Sequence, residues 1–137
     1  MTTIEDLLLK HEGLKFTPYR CSAGKLSIGV GRNLDDKGIS KEEAMLMLFN
    51  DIDESEKDLA NNVFKGQFYN YPKNIQLVLI DMRFQLGQTG FRKFKKMIMA
   101  FENHDYQEAI AQMKDSKWYD QVTKRAEDLI GMIKEII

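Results

Sequence analysis

An α+β fold is predicted by three observations on the 137-residue sequence. Apolar residues recur at helical spacing over the first dozen positions, and again over most of the chain beyond residue 40. Between these stretches, from Leu14 to about Leu34, the pattern changes to period two with interrupting turn residues, as short antiparallel strands require. A sheet of two or three strands cannot stand alone and must lean on a helical neighbour. The expected architecture is one domain: a sheet lobe over about 14–38, a connecting helix over about 40–62, and a mostly helical lobe over about 63–137. The helix at 3–12 is grouped with the helical lobe, and a cleft is expected between the lobes.

The elements follow in order. Ile4, Leu7, Leu8 and His11 share one helical face, and Thr2-Thr3-Ile4-Glu5 has the form of a capping box. Gly13 is a natural stop, which puts Glu12 on the last turn. Phe16-Thr17-Pro18-Tyr19, Ser22-Ala23-Gly24 and Lys25-Leu26-Ser27-Ile28-Gly29 read as a hairpin followed by a glycine-rich corner, with Pro18 confining its strand to an edge. Asp35-Asp36-Lys37-Gly38 is a turn. Ser40-Lys41-Glu42-Glu43 is a second capping box, opening a long helix through Ala44, Met45, Leu48, Ile52 and Leu59 that ends near Asn61-Asn62. Beyond Pro72, helices are expected over Ile75–Leu86, closed by Gly87, then around 91–101, 106–113, 118–121 and 123–136.

Composition excludes several classes of function. The chain is 43% hydrophobic and 30% charged, ordinary globular values that a disordered chain does not reach. A net charge of −1 argues against a general nucleic-acid binder. One cysteine allows no internal disulfide framework and no multi-cysteine metal site, and two histidines are too few for most transition-metal sites. No metal or other cofactor is therefore expected. No apolar run reaches the length of a membrane span. The start, Met1-Thr2-Thr3-Ile4-Glu5-Asp6, has acidic residues where a secretory signal has basic ones, so synthesis in the cytoplasm is expected.

Charge is unevenly distributed. Residues 41–60 hold two basic and seven acidic side chains, whereas residues 61–100 hold seven basic and one acidic. Solvated helix faces account for most such charges. The basic stretch from Arg83 to Lys96, ending in Arg92-Lys93-Phe94-Lys95-Lys96, would still attract an anionic polymer if it bordered a binding site.

Three constellations could carry chemistry. Gly29-Val30-Gly31-Arg32-Asn33-Leu34 begins like a dinucleotide fingerprint, but lacks its third glycine and a following helix, so the glycines are read as permitting a tight corner. Cys21 with His11 or His104 could form a thiolate–imidazolium pair, although nothing in the sequence brings either histidine to it. The third is Glu12 at a helix end, Cys21 in the hairpin turn and Ser27 in the next strand. A carboxyl at a helix C-terminus faces the negative end of the helix dipole, which favours the protonated form that a general acid needs. Taken alone, Glu12 reads first as a plain surface glutamate.

The run His11-Glu12-Gly13-Leu14-Lys15, Tyr19-Arg20-Cys21, Gly24 and Ser27-Ile28-Gly29-Val30-Gly31 resembles the signature of the phage-type lysozymes, the endolysin muramidases of the T-even bacteriophage kind. That signature is a Glu, eight residues, an Asp or Cys, five residues, and a Thr or Ser. Met82-Arg83-Phe84-Gln85-Leu86-Gly87 with Thr89-Gly90, and Ser116-Lys117-Trp118-Tyr119-Asp120-Gln121 with Arg125-Ala126, are similar to two further blocks of the family. The resemblance covers nearly the whole chain and implies a single lysozyme-like domain.

It also implies hydrolysis of the β-1,4 bond between N-acetylmuramic acid and N-acetylglucosamine in bacterial peptidoglycan. Glu12 would be the general acid, and Cys21 and Ser27 would hold the attacking water. Asn33, Phe84 and Gln85 would line the saccharide cleft, and Arg125 matches a family arginine that pairs with the catalytic glutamate. Arg32 is expected to pair with Asp51. Peptidoglycan is then the partner, the chain is expected to be a monomer without stable membrane association, and a holin-type pore would admit it to the wall.

The chain departs from the best-known pattern at two positions. Cys21 replaces an aspartate and removes the second carboxylate that glycoside hydrolysis commonly uses. Ser27 replaces threonine and keeps the hydroxyl. Two other readings share the motif: a lytic transglycosylase using Glu12 alone, and a wall-binding homologue without catalysis.

Overall fold

In a computed structural model that describes residues 1–137, the fold is α+β, with a three-stranded antiparallel sheet in a mostly helical chain. Two compact units divide it, Met1–Met47 and Leu48–Ile137.

The first unit opens with α1 (Ile4–Glu12), followed by β1 (Lys15–Arg20), β2 (Leu26–Gly29) and β3 (Arg32–Asn33) in the order β1-β2-β3. The first capping box lies one residue later than its sequence form suggested. Thr3 accepts from the Asp6 amide and Asp6 accepts from the Thr3 amide, each at 3.1 Å. Asp6 competes successfully with Glu5 because the box needs a carboxylate at the third helical position. Pro18 does lie in an edge strand, where its missing N–H costs no ladder bond, and the β1–β2 register shifts between Lys15 and Tyr19. The sequence grouped α1 with the later helices, whereas here it shares a unit with the sheet.

Helix α2 (Lys41–Asp58) begins at the expected capping box, in which Ser40 and Glu43 exchange side-chain and backbone hydrogen bonds. The unit boundary falls within this helix, after Met47. A π-helical turn over Leu59–Val63 follows directly.

The second unit carries the hydrophobic core. Helices α3 (Lys73–Arg92), α4 (Lys95–Glu102), α5 (Tyr106–Lys114), α6 (Lys117–Gln121) and α7 (Thr123–Lys134) bury Leu59, Phe64, Phe68, Ile75, Leu79, Met82, Phe91, Phe101, Met113 and Ile130, among others. Gly87 does interrupt the helical conformation, at φ 76° and ψ 175°, but the chain resumes the helix as far as Arg92. The 91–101 segment expected as one helix is therefore split, and α4 starts only at Lys95. No helix is long and apolar enough to cross a membrane. In contrast with the second unit, the first buries no apolar side chain fully; only Ser27 is buried there. A small sheet with one nine-residue helix removes too little apolar surface from water to be stable independently.

Candidate active site

Within the first unit, the hairpin positions two of the proposed catalytic residues. Cys21 occupies the β1–β2 turn, where its amide donates to the Lys25 carbonyl and its carbonyl accepts from the Gly24 amide, each at 2.9 Å. Hydrogen bonds from the Lys25 amide, then the Ala23 amide, outweigh desolvation and hold the thiol below its ordinary pKa, with a smaller contribution from the Ser27 hydroxyl.

Ser27 lies in the central strand, opposite Tyr19 on one side and Asn33 on the other. Cross-strand partners share a face of the sheet, so these three residues form one row. Ser27 is only 2% exposed and its hydroxyl also reaches the Lys25 carbonyl at 3.3 Å. Tyr19 was not singled out by sequence, because its place in that row depends on a register set by a strand irregularity.

Glu12 is the last residue of α1, and Gly13 terminates the helix with φ 77° while its amide donates to the Leu9 carbonyl at 3.0 Å. The Glu12 side chain is exposed. It lies against Gly31 in the β2–β3 corner: a Cβ added to Gly31 would sit 2.7 Å from Glu12 Oε2. The glycines of that corner do permit a tight bend, with φ 70° at Gly29 and 67° at Gly31. The approach of Glu12 has no local sequence signal, since it joins a helix end to a strand corner 19 positions later.

Asn33 has its amide engaged elsewhere: its Nδ2 donates to Asp36 and its Oδ1 accepts from the Asp36 amide, each at 3.0 Å. Arg32, expected to pair with Asp51, has its partner within the first unit: it binds Glu43 through both terminal nitrogens, at 2.7 Å each, and donates to the Gly38 carbonyl at 3.2 Å. Glu43 already faces back toward the Ser40 amide as part of its capping box, so its carboxylate is ready for Arg32. The pairing and the cap together lower the Glu43 pKa to about 2.

In the second unit, Phe84 is 40% exposed. It borders an apolar groove of about 370 Å³ together with Ile52, Leu77, Ile80, Arg125 and Met132. Phe84 and Arg125, both expected near substrate, are thus brought onto one groove. The resemblance implied Glu12 as partner for Arg125; the carboxylate that Arg125 meets is Asp81, at 2.8 Å from its Nε, tying α7 to α3. Gln85 accepts a 2.8 Å hydrogen bond from the Trp118 indole, which links the second and third sequence blocks.

Two of the five cations of the basic stretch are spent inside the unit. Buried Asp58 accepts from Arg83 Nε at 2.7 Å, from Arg92 at 2.9 and 2.7 Å, and from Asn62 at 2.9 Å. Arg92 first, then Arg83 and Asn62, hold the Asp58 carboxyl well below the usual range despite burial. The remaining cations, Lys93, Lys95 and Lys96, form no ion pair and join Lys117 around a groove of about 440 Å³ that Asp115, Phe94 and Trp118 also line.

Comparison with known proteins places this geometry in context. Residues 9–134 match the family model described as phage lysozyme. The chain is 26% identical to a protein of Dictyostelium discoideum called probable T4-type lysozyme 2, over 98% of this chain and 95% of that one. It is similar to the same degree, with the same coverage, to probable T4-type lysozyme 1 of that organism. It is also 31% identical to the pre-baseplate central spike protein Gp5 of Enterobacteria phage T4, over 90% of this chain but 26% of that protein.

Proposed function

The chain belongs to the phage lysozyme family and is a lysozyme-type peptidoglycan hydrolase; from this premise we propose that it cleaves the β-1,4 bond after N-acetylmuramic acid, with Glu12 as general acid. In that reading Glu12 protonates the leaving glycosidic oxygen, and Cys21 with Ser27 orients the water that attacks the anomeric carbon. Saccharide contacts would come from Asn33, Phe84 and Gln85, with Arg125 beside Phe84 at the groove edge.

The observation that carries the reading is the environment of Cys21. An uncharged thiol is a poor substitute for a carboxylate, but the turn amides of Lys25 and Ala23 lower its pKa and so ease its conversion to the thiolate, the form that can accept a proton from water. A proton acceptor on the side of the attacking water is what hydrolysis uses and a transglycosylase does not need. Digestion of purified cell walls tests it. Reducing muramic ends are expected, and Glu12→Gln should abolish them while wall binding persists. Anhydromuramic ends would replace hydrolysis by transglycosylation, and binding without any cleavage by the parent would leave a non-catalytic wall-binding protein.

Capture of the anionic wall is assigned to Lys93, Lys95, Lys96 and Lys117 rather than to the whole 83–96 stretch, because Arg83 and Arg92 already neutralise Asp58. Wall binding should weaken on raising salt, and should weaken similarly in Lys95→Ala/Lys96→Ala. Salt-independent binding would remove this role.

A further inference from the structure

We infer that Gly31 is a positioning residue for the Glu12 carboxylate, setting where the proton donor stands by having no side chain. The inference rests on the proposed catalytic role of Glu12 for its consequence, and on geometry for its content. A Cβ on Gly31 would lie 2.7 Å from Glu12 Oε2, 3.0 Å from its Cδ and 3.2 Å from its Cγ. The outer half of the glutamate side chain therefore lies across the face of the Gly31 Cα that any other L residue would fill.

What yields to an added methyl follows from the stiffness of the two partners. Gly31 sits in a strand corner with φ 67°, immediately before β3 and its pairing of Arg32 with Ile28. The Glu12 carboxyl is the far end of a flexible, exposed side chain and accepts no hydrogen bond from another residue of the first unit. The backbone stays and the carboxylate moves. The fold is spared, while the acid is displaced by an amount comparable to the overlap. A proton donor must lie within hydrogen-bond reach of the glycosidic oxygen, so a displacement of this size acts on turnover.

Gly29 provides an internal control. It has nearly the same left-handed conformation, φ 70°, in the same corner, but an added Cβ there meets nothing within 4 Å. Alanine at either position suffers the backbone strain; only at Gly31 does it also meet Glu12.

The test compares Gly31→Ala with Gly29→Ala, each corrected for its folded fraction. Both should lose thermal stability to a similar extent. Gly31→Ala should lower kcat at least tenfold with KM near that of the parent, whereas Gly29→Ala keeps kcat within about twofold, since misplacing a catalytic group costs up to about a hundredfold. Should alanine prevent folding, Gly31→Asn and Gly29→Asn form the same comparison, because asparagine tolerates positive φ better. A second readout, the carboxyl carbon resonance of Glu12, does not depend on activity: it should shift in the Gly31 variant and stay unchanged in the Gly29 variant. Equal kcat losses at the two glycines, or an unmoved Glu12 resonance in the Gly31 variant, would overturn the inference. A shifted resonance in a chain that never cleaves the wall would uphold it and refute the catalytic reading instead.

Discussion

Arg32 and Glu43 are joined by two parallel contacts of 2.7 Å, and the same Glu43 carboxylate also caps α2 by accepting from the Ser40 amide at 2.9 Å. One side chain therefore serves a local and a long-range purpose, fixing the start of α2 to the end of the sheet. The bidentate geometry suits the planar guanidinium and would be lost with lysine.

This pair makes the fold acid-sensitive in a defined window. The folded pKa of Glu43, about 2, is below its ordinary 4.5, so its stabilisation is fully present above the ordinary value and disappears as pH falls through the folded one. The melting temperature of the parent should fall between about pH 5 and pH 2 more steeply than that of Glu43→Gln, as thermal scans across that range would show. Glu43 is partly exposed, so the difference should be modest and should shrink in high salt.

Asp58 is the costlier carboxylate to lose. It and Arg83 are 7% and 5% exposed, and Asp58→Asn would leave the buried guanidinium with only the more distant, exposed Glu54 carboxylate at 3.8 Å. A loss of about 3–5 kcal/mol in urea unfolding is expected. Replacing Asp58→Leu together with Arg83→Met should recover part of it, because the fully buried cation is then removed, while Arg92, about one-third exposed, loses its carboxylate but can still reach water.

Arg125 and Asp81 are each about two-fifths exposed, so their ion pair should contribute little to stability. A double-mutant cycle with alanine at both positions should give a coupling of about 0.2–1 kcal/mol. A coupling of several kcal/mol would mean that this contact is far better shielded from water than its exposure indicates.

Cys21 predicts a distinctive pH–rate comparison. Its thiol is held below the ordinary thiol pKa by the Lys25 and Ala23 amides, whereas an aspartate ionises in the carboxylate range, so the parent should need a higher pH for full activity than Cys21→Asp. Cys21→Ala should reduce turnover strongly at every pH. Matching profiles for parent and alanine variant would show that the thiol only packs the turn.

The local elements were legible in the sequence because their causes lie within four or five residues. The Ser40–Glu43 box, the stop at Gly13, the hairpin around Ser22-Ala23-Gly24 and the edge role of Pro18 all depend on near neighbours. Even the one-residue slip from Thr2 to Thr3 occurred within such a window, where two threonines and two acids offered adjacent solutions. The candidate acid, thiol and hydroxyl were found by their spacing, which the hairpin conserves.

The partners of the charges were decided only by tertiary structure. Arg32 meets Glu43, Arg125 meets Asp81, and Arg83 with Arg92 converges on Asp58. An arginine has several carboxylates within chain reach, and strand register and helix packing determine which arrives at hydrogen-bond distance. The same holds for Gly31, whose positive φ was foreseeable from a glycine corner but whose contact with Glu12 arises where the end of α1 meets the β2–β3 turn. Spacing in the chain specifies which chemical groups are present, while packing between elements decides which of them remain free to act.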